Sequence, residues 1–101
     1  MSNLLTYKQL QAIPNLYETE NQKDPICHLK LFLLSSNWSW YIIEIDKTNL
    51  NTCFGFVSGL EQELGYFTIK ELENLRGQFG LKVELDTSFK ATKLSKIKAS
   101  I

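Results

Sequence analysis

Histidine, cysteine and proline are all scarce in this sequence, with one, two and two copies in 101 residues. A structural zinc site needs four Cys or His ligands, and His28, Cys27 and Cys53 supply only three. Cys27 and His28 are adjacent, and neighbours on a strand point to opposite faces, so they form no dyad. Two thiols do not make a disulfide scaffold. A single Cys27–Cys53 bridge stays open, but reduced thiols are the expectation without an export signal. Residues 1–16 lack the basic start and apolar centre of such a signal. Apolar runs are short, as in Leu31-Phe32-Leu33-Leu34, against the roughly 20 residues of a spanning helix. A cytoplasmic protein is expected.

Glycine is also sparse, and neither the Gly55/Gly59 pair nor the Gly77/Gly80 pair precedes a helix start. A phosphate-cradling loop requires that placement. There is no Gly-x-Ser-x-Gly elbow, and one histidine gives no convincing Ser–His–Asp set. The expectation is therefore a protein that is no enzyme, with no cofactor and no metal. Net charge is zero, from eleven basic and eleven acidic side chains, so the basic excess of a DNA-coating protein is missing.

What is present is the profile of a soluble globular protein, 44% hydrophobic and 22% charged, sized for a single domain over 1–101. The charges are unevenly placed. Residues 1–86 hold seven basic and all eleven acidic side chains, a net of −4, while the basic C-terminal segment 87–101 holds Lys90, Lys93, Lys96 and Lys98 and no acid. The plain reading is a solvated surface followed by a soluble end segment.

Two capping boxes mark helix starts. Thr6 and Gln9 open a helix over about Tyr7 to Ile13, with Leu5 and Leu10 as a hydrophobic staple and Pro14 as its stop. Thr68 and Glu71 open a second, with Phe67 and Leu72 as its staple. Its stripe is Ile69, Leu72, Leu75 and Phe79, and Gly77 or Gly80 is its stop. Strands are expected over Ile26–Leu34, Trp38–Asp46, Cys53–Leu60, Gly65–Phe67 and Leu81–Leu85, with Glu61-Gln62-Glu63 as a turn. Both faces of Trp38–Asp46 are apolar, so this strand should be central, with Tyr41, Ile43 and Ile45 sharing one face. The small residues of the third strand leave room for a tryptophan. Leu94, Ile97 and Ile101 have helical spacing. The fold class read from this is α+β: an antiparallel four- or five-stranded meander, two short packed helices and a short, frayed C-terminal helix.

Acids recur at i, i+2 as Glu18/Glu20, Glu44/Asp46, Glu61/Glu63 and Glu84/Asp86. Such pairs can hold a divalent cation or serve as an acid–base pair. They are more often solvated strand ends, and that is the reading here. The aromatics Trp38, Trp40, Tyr41, Phe54, Phe56, Tyr66 and Phe67 are read as core, with base stacking or a partner anchor as the alternative.

Three segments together resemble a bacterial family. They are Leu16-Tyr17-Glu18-Thr19-Glu20; Trp38-Ser39-Trp40-Tyr41 followed by Glu44 and Asp46; and Phe54-Gly55-Phe56-Val57-Ser58-Gly59-Leu60-Glu61 with Glu63-Leu64-Gly65-Tyr66-Phe67 and Glu71-Leu72. The likeness runs from about Leu4 to Leu94, with one departure: family members often carry Glu-Arg-Asp where this chain has Glu84-Leu85-Asp86. The family is a domain of unknown function common on plasmids, conjugative elements and phages, and the resemblance extends to a type II-A anti-CRISPR protein. It implies a host-defence inhibitor or a mobile-element accessory and supplies no catalytic residues; the leading expectation is a non-enzymatic inhibitor that binds a CRISPR-associated effector nuclease or its guide RNA complex. An acidic body suits the basic channels of such effectors. The partner-binding residues expected are Glu61, Glu63, Glu71 and Glu73, with Glu18 and Glu20 as the alternative patch. Lys90, Lys93, Lys96 and Lys98 would instead touch guide RNA or DNA backbone. The other class of reading is a nucleic-acid-binding accessory of plasmid transfer.

Overall fold

The computed structural model describes residues 4–101; the uncharged start Met1-Ser2-Asn3 lies outside them. Helix α1 (Tyr7–Ala12) begins as its capping box dictates. Thr6 Oγ1 accepts the Gln9 N–H at 3.1 Å, and Gln9 Oε1 accepts the Thr6 N–H at 2.8 Å. Ile13 is already extended ahead of Pro14. Leu5 and Leu10 are both buried.

Strands β1 (Ile26–Cys27), β2 (Leu29–Leu33), β3 (Ser39–Ile45), β4 (Thr52–Ser58), β5 (Gln62–Thr68), β6 (Val83–Leu85) and β7 (Thr92–Lys93) follow. Five make an antiparallel sheet in the order β5-β4-β3-β2-β6, and β1 pairs separately with β7. Strand β3 is central and buried along almost its whole length, as its two apolar faces require. The class is α+β, with the meander β2-β3-β4-β5 at its heart and β6 added beside β2.

Helices cover both faces of the sheet. On one, α1 and helix α2 (Ile69–Asn74) set Leu10, Ile69 and Leu72 against Leu31, Trp40, Ile42, Ile45 and Cys53. On the other, helix α3 (Leu94–Ser100) sets Leu94 and Ile97 against Cys27, Tyr41, Ile43 and Phe56. Each such aliphatic side chain contributes about 1.5–3 kcal/mol when fully withdrawn from water. Among the described residues no helix is long and apolar enough to cross a membrane.

Several details differ from the sequence reading. The segment 26–34 is two strands, because His28 breaks the ladder while its N–H still bonds Ile42 O at 2.8 Å. The break sends Cys27 to the α3 side and Leu31 and Leu33 to the other. The two cysteines are therefore free and buried on opposite faces. Burial pushes both thiols up to about 12. The turn after β4 is Gly59–Glu61, and Gln62 and Glu63 already belong to β5. Leu60 is exposed rather than alternating into the core. Helix α2 stops at Asn74 without a glycine cap. Arg76 Nη1 instead donates to the carbonyls of Glu73 and Leu75, at 2.7 and 2.9 Å. Leu75 and Phe79 are consequently exposed, and Gly80 closes a separate 3₁₀ turn, Gln78–Gly80.

The basic segment 87–101 is fastened, not frayed. Ser95 donates its N–H and hydroxyl to the two carboxylate oxygens of Asp24, at 2.8 and 2.7 Å, and the Leu94 N–H bonds Pro25 O at 2.9 Å. Phe89 packs edge-on against Tyr41, with ring centroids 5.8 Å apart. Where the resembling family often carries arginine, Leu85 packs on the core instead, and Asp86 takes Lys30 as its ion-pair partner at 3.9 Å.

Candidate functional site: a strapped carboxylate beside an open strand edge

Strand β3 carries one acid among apolar residues, and a bulge decides where it points. Ile42 pairs with Gly55 and Glu44 with Phe54, so Ile43 is the extra residue. Strict alternation would put Glu44 on the Trp40 and Ile42 face. The bulge moves it to the face of Tyr41 and Ile43, and moves Ile45 into the core on the Ile42 side. Gly55 permits this close approach, since a Cβ there would lie 1.9 Å from Tyr41 O.

Glu44 is thus no solvated strand residue. It is 4% exposed, and a buried carboxylate without donors is costly. The connector 14–20 supplies them. Tyr17 N–H bonds Oε1 at 2.9 Å, and Thr19 N–H bonds Oε2 at 2.8 Å. The Thr19 hydroxyl bonds Oε2 as well. All three partners are donors, the complement that an acceptor-only carboxylate needs. Tyr17 adopts φ 70° to present its N–H, a left-handed conformation that costs a non-glycine residue about 1–2 kcal/mol. The strap is laced to the end of β3. Ile45 N–H bonds Pro14 O at 2.9 Å, and Asn15 Oδ1 accepts the Leu16 and Lys47 N–H groups at 2.9 and 3.0 Å.

Over this strap lies a cleft of about 400 Å³ whose walls include Tyr17, Glu20, Lys23, Leu64, Tyr66 and Lys98. The Tyr66 hydroxyl is raised above its ordinary value, first by its hydrogen bond with the Tyr17 side chain, then by desolvation and by negative charge on Glu44 and Glu20. Phe54 packs under Tyr66 with centroids 5.1 Å apart. Tyr17, Leu64 and Tyr66 are 61%, 45% and 59% exposed. Most of the aromatic cluster is core, as expected, but Tyr66 stands outside it and forms an exposed rim with Tyr17 and Leu64. Another cleft, of about 370 Å³, lies at the β6 edge, where Glu73, Arg76, Lys82 and Glu84 mix both signs of charge.

The acids expected to bind a partner do not gather in one place. Glu61 stands in the β4–β5 turn and Glu63 on β5, both exposed. Glu71 is engaged in the α2 capping box, where its Oε1 accepts the Thr68 N–H at 3.1 Å and the Thr68 hydroxyl at 3.0 Å. Glu73 is half-buried. Residues 64–68, five positions of β5, lie between the two pairs, about 17 Å at the rise of a strand. Glu18 closes a turn by accepting the Asn15 N–H at 3.1 Å, and exposed Glu20 lines the cleft. Lys90, Lys93, Lys96 and Lys98 are all exposed. They do not form a single row, because residues two apart on a helix project about 200° apart. Lys98 faces the cleft and Lys96 lies near Ile26 on the other flank.

Sequence reasoning missed Glu44, Thr19 and Tyr17 as one unit. The signal was there in a lone carboxylate between Ile43 and Ile45, which must find donors from elsewhere. Among the described residues no group of three His, Cys, Asp or Glu could hold a metal. His28 is lowered by burial.

The three segments that carried the family resemblance meet at this place: Tyr17 to Glu20 from the first, Glu44 from the second, Phe54, Leu64 and Tyr66 from the third. No curated protein and no solved structure matches the chain. A family model described as "Protein of unknown function (DUF2958)" matches residues 4–99. Nearly the whole chain is covered, and it belongs to the DUF2958 family.

Proposed function

We propose that this chain is a non-enzymatic inhibitor, carried by a mobile element such as a phage or plasmid and acting in the host cytoplasm. Its target is a type II RNA-guided effector nuclease. The observation that carries the reading is the β5 rim. Exposed Leu64 and Tyr66 on β5 stand beside exposed Tyr17 of the strap, with Glu20 in the same cleft and Glu61 and Glu63 on the adjoining β4–β5 hairpin. Aromatic anchors bordered by charge are the usual make-up of a binding hot spot. Acids favour approach to the basic channels of an effector. The partner class comes from the resemblance to anti-CRISPR proteins.

A guide-loaded type II effector nuclease assayed for target cleavage tests this. The wild-type chain should inhibit, and Glu61→Lys/Glu63→Lys should weaken inhibition at least about tenfold, a loss of about 1.4 kcal/mol. No inhibition by the wild type would refute the reading. Inhibition unchanged by the double variant would remove the acidic hairpin from it.

A second reading, a nucleic-acid-binding accessory of plasmid transfer, rests on the four exposed lysines of 87–101. It requires affinity that falls steeply with salt. Deleting the segment is an unsuitable test, because Leu94 and Ile97 belong to the core. Replacing Lys90, Lys93 and Lys96 by Gln tests it without unfolding the chain.

A further inference from the structure

We infer that β5 is a strand-addition site that takes an extended segment of a partner protein in which apolar and basic residues alternate. This rests on the reading of the chain as a protein-binding inhibitor and specifies how contact is made. Strand β5 is the end strand of the sheet, and among the described residues no strand pairs with its outer side. Its ladder with β4 is regular over seven pairs, from Thr52↔Thr68 to Ser58↔Gln62, without a bulge. Exposed edges are normally blunted by lysine, proline, a bulge or short length. Between Gln62 and Thr68 there is no lysine or proline, and the strand is seven residues long. The opposite edge, β6, has only three.

The chemistry of the incoming strand follows from the alternation of β5 itself. Leu64 and Tyr66 lie toward the cleft, exposed and apolar, so residues added beside them should be apolar. Glu63 and Gly65 alternate with them on the other face, and a Cβ on Gly65 would meet nothing within 4 Å. A side chain added there finds space and a carboxylate, which favours lysine or arginine, and Glu61 extends the same charge beyond the strand. Main-chain bonds then give affinity and the alternating faces give selectivity. A second copy of this chain fits less well. Its own β5 has no lysine or arginine to place beside Gly65 and Glu63.

Titration of the isotope-labelled full chain with a ten-residue peptide alternating lysine and valine, followed by NMR and amide exchange, tests the site. Saturable binding is expected, with protection concentrated in 62–67. A glutamate–valine peptide should bind at least about tenfold more weakly, and Leu64→Lys/Tyr66→Lys should cost at least about tenfold in affinity with the thermal midpoint held. Absence of saturable binding, protection confined to other elements, equal binding of both peptides, or β5 occupied by self-association in sedimentation would each overturn the proposal. The readout needs no nuclease. Peptide binding without inhibition would refute the inhibitor reading alone, and inhibition without peptide binding would refute strand addition alone.

Discussion

Thr19 donates its backbone N–H to Glu44 Oε2 at 2.8 Å, tying the connector to the central strand across 25 positions of sequence. With the Tyr17 N–H on the other oxygen, this bond fixes the strap that forms one wall of the cleft. The buried acid thereby sets the shape of an exposed surface, since the residue that shows its ring to solvent also gives its amide to Glu44.

Removing the carboxylate should therefore cost stability. Glu44→Ala orphans the Tyr17 and Thr19 amides, and each unsatisfied buried group costs about 1–3 kcal/mol. Thermal denaturation should show a midpoint lower by about 4–8 °C per kcal/mol in a domain of this size. Thr19→Ala, which keeps the amide, should lose about 1 kcal/mol, and Thr19→Ser should be near wild type. A Glu44→Ala midpoint equal to wild type would show that the strap does not depend on the acid.

Two glycines in adjacent strands should respond in opposite ways. Gly55→Ala drives a methyl into Tyr41 O and should destabilise by about 3 kcal/mol or more. Gly65→Ala meets open space at ordinary backbone angles and should stabilise by about 0.4–1 kcal/mol through the unfolded chain. Urea midpoints of the two variants check this, and equal effects would contradict the bulge geometry.

Acid should weaken the fold through three aspartates. Asp24 is lowered first by its hydrogen bonds from Ser95, Asp46 by those from Thr48, and Asp86 by that from Ser88. A depressed folded value means that the stabilisation is present above the ordinary value of 3.8 and is lost as pH falls through the lower folded value. Stability of the wild type should decline below about pH 4, and the decline should be shallower in Asp24→Asn/Asp46→Asn/Asp86→Asn. Parallel pH profiles would contradict it.

The thiols should be inert in the folded state. Both are buried and pushed to about 12, so a thiol reagent at pH 8 should label neither until denaturant is added. Rapid labelling of the native chain would place at least one sulfur at the surface.

Where sequence and structure agree, the signal was local. Thr6 with Gln9 and Thr68 with Glu71 need only their own turn to form a capping box. The two apolar faces of 38–46 demanded cover on both sides, and β3 has it. Gly59 does receive a tryptophan, with Trp38 ring atoms 2.4 Å from where its Cβ would stand. Long-range facts were not legible. The bulge at Ile43 depends on the register with β4, and it alone reverses Glu44 and Ile45. One local signal was misread as well: the glycine stop expected at Gly77 or Gly80 is not used, and the helix carbonyls are met by the nearby Arg76 side chain. The acids of the expected patch were neighbours in sequence order but stand at opposite ends of β5, and only the topology separates them.

The central claim is that this molecule acts through the β5 rim. Amide exchange of the full chain, free and mixed with a guide-loaded type II effector nuclease, tests it most directly. Protection gathered in residues 17–20 and 61–67 is the predicted result; protection confined to Lys90–Lys98, or none at all, would contradict it.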